Sequence, residues 1–348
     1  MKTRNGTIDL LKFLFALALI IYHGRLISQT DNPIFSMGYF AVEFFFMVSG
    51  FFMAKTAIEK EKNSGRFLFE KYKGFMPYHI FAFLLAFIVT CVINSHDSLK
   101  SVIRLGISAV PEFLMIPTLS GIGFNLSSIN AIEWYLSAML VAMAILYPMV
   151  KKWKEGFCGI ASLLIFLITS GYLYNTNGQT YNCIDTWNGY VCLGLLRAVA
   201  DIAMGCFIYG ITRNEPKKPD TRCKRIFITA AEIVCYGVVF FFMTSSLEKK
   251  YEFAVIYFLI AGISLSMTKR SYLAGVFNNK FVAFLGKLSF PMFLNQGWIR
   301  KLLRAYNPGL SYLWSELIFL TATIIVSLIC IFTVDKILEL IKSKKQTA

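Results

Sequence analysis

The chain has 348 residues, 56% of them hydrophobic and only 16% charged, with a net charge of +15. A mean hydropathy of +0.59 excludes a water-soluble globule with a single core and points to an all-α polytopic membrane bundle. The eight cysteines form no C-x-x-C pair, so they read as small buried residues and give no zinc or redox pattern, and no metal site is expected.

The first apolar run contains "LKFLFALALIIYHGR", residues 11–25. Its basic approach resembles a signal peptide, but Asp9 and Lys12 interrupt it and no small-residue cleavage pattern follows His23. It therefore reads as a retained first span. Further runs of about 17–25 apolar residues, the length that crosses a bilayer as a helix, complete a set of ten. The ten are 9–27, 39–58, 75–94, 131–150, 157–174, 190–211, 226–246, 252–268, 281–299 and 312–338. A weaker run, 103–119, is broken by Pro111, Glu112 and Pro117 and is expected to be interfacial or re-entrant. The polar segments between runs are short, so residues 1–348 are expected to form one membrane domain. Cys183 and Cys192 flank one loop, where either a disulfide or two thiols is open.

Lysine and arginine are retained on the cytoplasmic side. With the N-terminus inside, ten spans put 26 basic residues on the inner side and 8 on the outer, with Arg197 inside a span. Both termini are then cytoplasmic. Retention at anionic headgroups accounts for the net charge without a nucleic-acid partner, and the same inner face would attract an anionic cytosolic ligand.

Ionisable residues within spans are expensive and mark functional candidates. Lys12 and His23 lie eleven residues apart, about three turns, so they share a helix face about 16 Å apart along the axis. One reading is a snorkelling lysine and an interfacial histidine; the other is a cation near the cytosol and a proton-moving imidazole past the midplane. Glu43 enters the second span at a depth similar to His23, where a carboxylate would set the imidazole tautomer and stabilise its protonated form; the other reading is a structural hydrogen bond to another helix. Arg197 and Asp201 are i,i+4 and are expected to pair, unless Arg197 steadies an anionic group. Glu133 and Trp134 open the fourth span, where an aromatic face suits either a sugar ring or the interfacial belt.

Several stretches together resemble the membrane acyltransferase-3 family, bacterial integral-membrane enzymes that O-acylate cell-surface carbohydrates. "GYFAVEFFFMVSGFFMAK", residues 38–55, resembles the family's G-x-x-G-V-D-x-F-F-x-x-S-G-F run, with Glu43 at the acidic position and Ser49, Gly50 and Phe51 matching. "IDLLKFLFALALIIYH" resembles the L-D-x-L-R-x(10)-H helix, and "RFLFEKYKGFMPYH" the basic run before the third span. "WYLSAML" and "FLGKLSFPMFLNQ" resemble two later segments.

The resemblance implies transfer of an acetyl or succinyl group from cytoplasmic acyl-CoA, such as acetyl-CoA, to a hydroxyl of a surface or lipid-linked carbohydrate at the bacterial cytoplasmic membrane. It implies His23 as the base with Glu43 as its partner. Lys12, Lys71, Lys73 and Arg66 become donor-side cations, and Ser49, Glu133, Trp134 and Arg197 acceptor-side candidates. The chain departs from the family at three places: Lys12 replaces an arginine, Gly74 stands at the second arginine of R-x-x-R, and Gln296 stands at the histidine of Y-L-x-H. Partners implied are acyl-CoA, the glycan, membrane lipid, and a second copy or glycan-assembly proteins. Two other functions are open: a transporter of a small anion or lipid-linked sugar, although matched halves with broken helices are not found, and a non-catalytic member of a glycan-assembly complex.

Overall fold

The structure is a computed structural model. It describes residues 4–28, 34–60, 62–94, 98–115, 129–178, 182–184, 186–189, 191–214, 221–245, 247–306 and 309–347. Lys2, Lys217, Lys218 and the 116–119 part of the expected re-entrant run lie outside these residues.

Among the described residues the protein is almost wholly helical. The helices are α1 (Gly6–Ser28), α2 (Ala41–Glu59), α3 (Ser64–Ile93), α4 (Leu99–Ser108), α5 (Val110–Phe113), α6 (Trp134–Gly156), α7 (Ser162–Thr176), α8 (Leu193–Thr212), α9 (Arg222–Thr244), α10 (Glu252–Thr268), α11 (Leu273–Val276), α12 (Lys280–Ala305) and α13 (Tyr312–Thr347). A two-residue antiparallel pair, Trp187–Asn188 with Val191–Cys192, precedes α8. Each of the ten expected segments falls on a helix.

Among the described residues, seven helical stretches are long and apolar enough to cross a membrane: Gly6–Ser28, Gly38–Glu59, Ser64–Ile93, Ala131–Thr176, Leu193–Thr212, Arg222–Thr244 and Tyr312–Lys344. The fourth stretch divides near Lys154, whose φ of 43° and ψ of −110° break the helix between α6 and α7. α10 is apolar but has only 17 residues. α12 falls outside the seven because Asn295, Gln296, Arg300, Lys301 and Arg304 interrupt its apolar sequence. Yet the run Leu288–Ile299 of α12 is buried almost continuously. Its polar residues thus face protein, which is where a membrane bundle tolerates them. The described part of the 103–119 run forms α4 and α5, both too short to span. Leu99, Ile103, Ile107 and Val110 stand exposed along them.

One apolar core joins α1, α2, α6, α8, α9 and α10. Phe15 of α1 lies at its centre, stacked on Phe44 (4.3 Å between ring centroids) and on Phe240 (4.9 Å). A second core joins α1, α3, α12 and α13 around Ile20, Phe83, Met292 and Phe319. α1 therefore belongs to both, and it packs along α12 for most of its length.

In lipid, helices gain little from apolar burial against each other, so close packing of small residues sets the tight crossings. The α2–α8 crossing shows this. A Cβ on Gly205 would sit 2.1 Å from the Met47 carbonyl oxygen and 2.9 Å from the Gly50 Cα, and one on Gly50 would sit 2.2 Å from the Ile202 carbonyl oxygen. All of these neighbours are backbone atoms that no rotamer change can move aside. Gly205→Val should therefore lower the thermal midpoint of the detergent-solubilised protein and its folded yield, by at least the roughly 1–3 kcal/mol typical of overpacking. Gly237→Ala, where nothing lies within 4 Å, should not.

Candidate active site

His23 stands in the last third of α1, half-buried, and lines a cavity of about 300 Å³. The cavity wall draws on five helices and the segment before α8. Tyr22, His23 and Arg25 come from α1, Tyr39 and Val42 from the start of α2, Trp134 and Arg197 from the first turns of α6 and α8, and Phe293 and Arg300 from α12. Asn182 and Ile184 close the side. This volume is at the small end of ligand pockets, which run from about 300 to 1,000 Å³.

The imidazole has a partner on α12. His23 Nδ1 lies 3.0 Å from Gln296 Oε1. An amide oxygen only accepts, so in this arrangement Nδ1 carries the hydrogen and Nε2 keeps its lone pair. Nε2 has no hydrogen-bond partner among the described residues. Gln296 itself is buried and held in the α12 run that packs on α1. Neutral imidazole with a free Nε2 is the form a general base requires.

The expected His23–Glu43 contact is not what the structure contains. Glu43 is fully buried and pairs instead with Arg197, whose Nε and Nη2 lie 2.8 and 2.6 Å from Glu43 Oε1. Arg197 also donates from Nη2 to the Tyr39 carbonyl oxygen (3.0 Å) and from Nη1 to the Cys183 carbonyl oxygen (3.3 Å). Arg197 thus donates to three acceptors, the Glu43 carboxylate and the two carbonyls, while it lines the cavity. The Tyr39 hydroxyl in turn bonds the Glu252 carboxylate at the start of α10.

The i,i+4 pairing of Arg197 with Asp201 is also replaced: neither Asp201 oxygen has a hydrogen-bond partner. The reason is geometric. Glu43 enters at the level of Arg197 because the Gly50–Gly205 crossing brings α2 against α8, and it presents its carboxylate to two guanidinium nitrogens at once.

The remaining acceptor-side candidates divide. Trp134 lines the cavity, with the Arg197 guanidinium 5.9 Å from its ring centroid. Glu133, its neighbour, does not line it. Glu133 points the other way, with Oε1 3.2 Å from His79 Nδ1, and both side chains are fully buried. His79 Nε2 in turn bonds the Phe113 carbonyl oxygen (2.9 Å). Ser49 is hydrogen-bonded to Tyr135 and lies outside the cavity lining.

The donor-side candidates lie at the opposite end of α1. Lys12 is 3.7 Å from Asp9, and its ammonium sits 5.7 Å from the Phe52 ring centroid. Lys71 on α3 faces Lys12 closely enough for their charges to repel, and has no acidic partner among the described residues. Lys73 is exposed. Arg66 is exposed too and pairs with Glu70 at 3.1 Å. Nothing lies within 4 Å of where a Cβ on Gly74 would stand. Cys183 and Cys192 form no disulfide; both are buried, and the Cys192 thiol points at the Ile184 carbonyl oxygen at 3.5 Å.

Reasoning from the sequence missed Tyr39 and His79, and met Gln296 only as a departure from the family pattern, not as the partner of His23. For Gln296 the available signal was its place in an otherwise apolar segment, since a buried amide needs a partner. For His79 it was a histidine just inside a span, in the quoted "MPYH".

A family model described as an acyltransferase domain matches residues 5–335, nearly the whole chain. No curated protein matches the chain, and no solved structure does.

A buried ion pair that loses one member leaves an uncompensated charge, at a cost of about 3–5 kcal/mol, whereas replacing both by apolar residues is often neutral. Arg197→Met and Glu43→Leu should each lower the thermal midpoint sharply, and the double variant should recover most of the loss. Additive losses in that cycle would show that the pair does not act as a unit.

Proposed function

Because the chain belongs to the membrane acyltransferase-3 family, we propose that it moves an acetyl or succinyl group from cytoplasmic acyl-CoA to a carbohydrate hydroxyl on the outer side of the bacterial cytoplasmic membrane. The observation that carries this reading is His23: half-exposed in a cavity, with Nδ1 held by Gln296 and Nε2 free. The proposed topology has ten spans with both termini cytoplasmic, supported by the 26-to-8 division of basic residues. It places Lys12 and Lys71 at the cytosolic mouth and the His23 cavity in the outer half.

In this mechanism the acceptor hydroxyl approaches Nε2 of His23. Nε2 takes the proton as the hydroxyl oxygen adds to the thioester carbonyl. The tetrahedral intermediate collapses, the C–S bond breaks, and the proton held by the imidazolium leaves with the CoA thiol. Gln296 keeps the tautomer without adding a charge, which suits a base that must start neutral. Glu43 acts at one remove: it neutralises Arg197, and Arg197 positions the cavity wall that faces the acceptor or the developing oxyanion. At the other end, Lys71, a cation without an acidic partner, fits the phosphates of CoA. Lys12 is partly committed to Asp9, and the exposed Lys73 and Arg66 attract the donor by long-range charge.

Acyl transfer by purified protein in lipid nanodiscs tests the reading. His23→Ala should reduce turnover by about 10²–10⁴-fold, the range of a lost general base, at unchanged protein abundance. Lys71→Ala should instead raise KM for acyl-CoA and spare kcat. Full activity of the His23 variant would remove it as the base.

Gln296→Glu provides a separate test through pH. A carboxylate beside the ring favours imidazolium and raises its pKa. Since the base acts neutral, the acidic limb of the rate profile should move to higher pH. An unmoved limb would mean that Gln296 does not govern the protonation of His23.

A further inference from the structure

Basic residues are disfavoured on the outer side of a membrane protein, yet four of them gather at the His23 end. Arg25 and Arg300 line the His23 cavity. Arg300 also lines a second cavity of about 380 Å³, together with Lys301 and Arg304. The two cavities share Ala131 and Arg300 as lining, so they adjoin at Arg300. Both Arg25 and Arg300 are near enough to His23 for their charges to act on the ring.

None of the three arginines has an acidic partner among the described residues. Arg25 donates to the Tyr22 hydroxyl (2.8 Å) and stacks on that ring at 4.2 Å, and its Nε is buried with no hydrogen bond. No described carboxylate pairs with Arg300 or Arg304. Lys301 bonds only the neutral Thr90 hydroxyl, at 2.8 Å.

The acids at this end are committed elsewhere or turned away. Glu43 holds Arg197, Glu133 holds His79, and Glu112 accepts the Ile129 and Asn130 backbone N–H groups. Glu316 packs its carboxyl against Gly24 and makes no hydrogen bond. Arginines that merely snorkel to lipid headgroups would face lipid, whereas Arg25 and Arg300 line the His23 cavity between α1 and α12.

We propose that the acceptor is a phosphate-bearing saccharide, with its hydroxyl at His23 and its phosphate among Arg25, Arg300 and Arg304. The proposal rests on the acyl-transfer reading and narrows its substrate class. A phosphate carries up to about two negative charges and three acceptor oxygens, and the planar guanidinium fork binds such oxygens in pairs. More than one cation in a low-dielectric cavity suits this charge better than it suits a neutral sugar. The phosphate can belong to the diphosphate of a lipid carrier or to a phosphodiester along a polymer.

Binding to the wild-type protein in nanodiscs of neutral lipid tests this without requiring turnover. The probes are N-acetylglucosamine, its 1-phosphate, a polyprenyl-diphosphate-linked N-acetylglucosamine, and a glycerol-phosphate oligomer bearing the same sugar. The phosphate-bearing probes should bind at least about tenfold tighter than the neutral sugar, with a preference that shrinks as salt rises. The tighter of the last two identifies the source of the phosphate. Arg300→Gln with Arg304→Gln should abolish the preference. Equal affinity for neutral and phosphorylated sugar in the wild-type protein would overturn the proposal. CoA thiol release from acetyl-CoA, measured on the same preparation, reports on acyl transfer by itself: its absence beside an intact phosphate preference would overturn the enzymatic reading and leave the anionic site standing.

Discussion

The bundle is organised around one buried cation. Arg197 is the largest fully buried side chain among the described residues, and a guanidinium cannot shed its proton to escape burial. It must therefore be matched where it stands. Glu43 supplies the opposite charge, and the carbonyls of Tyr39 and Cys183 supply the remaining acceptors. These ties bind α8 to the start of α2 and to the segment before α8, and through the Tyr39 hydroxyl they reach α10. A charge that is costly in an apolar medium unless fully paired specifies how these elements meet. The glycine crossing of α2 and α8 makes the pairing possible by letting the two backbones touch.

The site follows from that arrangement. With Arg197 fixed, Trp134, Tyr39 and Val42 form one wall of a small cavity, and α1 and α12 form the other. α12 is the least apolar of the long helices because it carries the polar groups that the cavity needs: Gln296 toward His23, and Arg300 at the rim. The buried His79–Glu133 pair lies behind the same wall, where Asn130 donates to the Leu294 carbonyl oxygen at 3.0 Å and to Glu133 at 3.2 Å. The turn that leads into Trp134 is thereby tied to α12. Charges inside the bundle thus come in two kinds, those consumed in holding helices together and those left open toward the cavity or the opposite mouth.

This division explains how the candidate residues sort. Glu43 was expected beside His23 and Arg197 beside Asp201, and instead the two bind each other. Glu133 sits next to a cavity residue in sequence and faces away from the cavity, since successive helical positions point about 100° apart. Lys71 has no acidic partner among the described residues, whereas Arg66 is taken by Glu70 on its own helix.

The sequence alone determined the helical elements. Runs of apolar residues long enough to span require helices, because backbone polar groups in lipid have no other partners, and all ten expected segments are helical. The spacing of Lys12 and His23 on α1 was likewise legible, since one helix carries its own geometry. The partners were not. Whether His23 meets Glu43 or Gln296, and whether Arg197 meets Asp201 or Glu43, depends on which helices cross and at what level. That is decided by close contacts such as Gly205 on Met47 and Gly286 on Asp9, between residues far apart in the chain. Local periodicity says which face a residue occupies, and only the packed bundle says what stands opposite it.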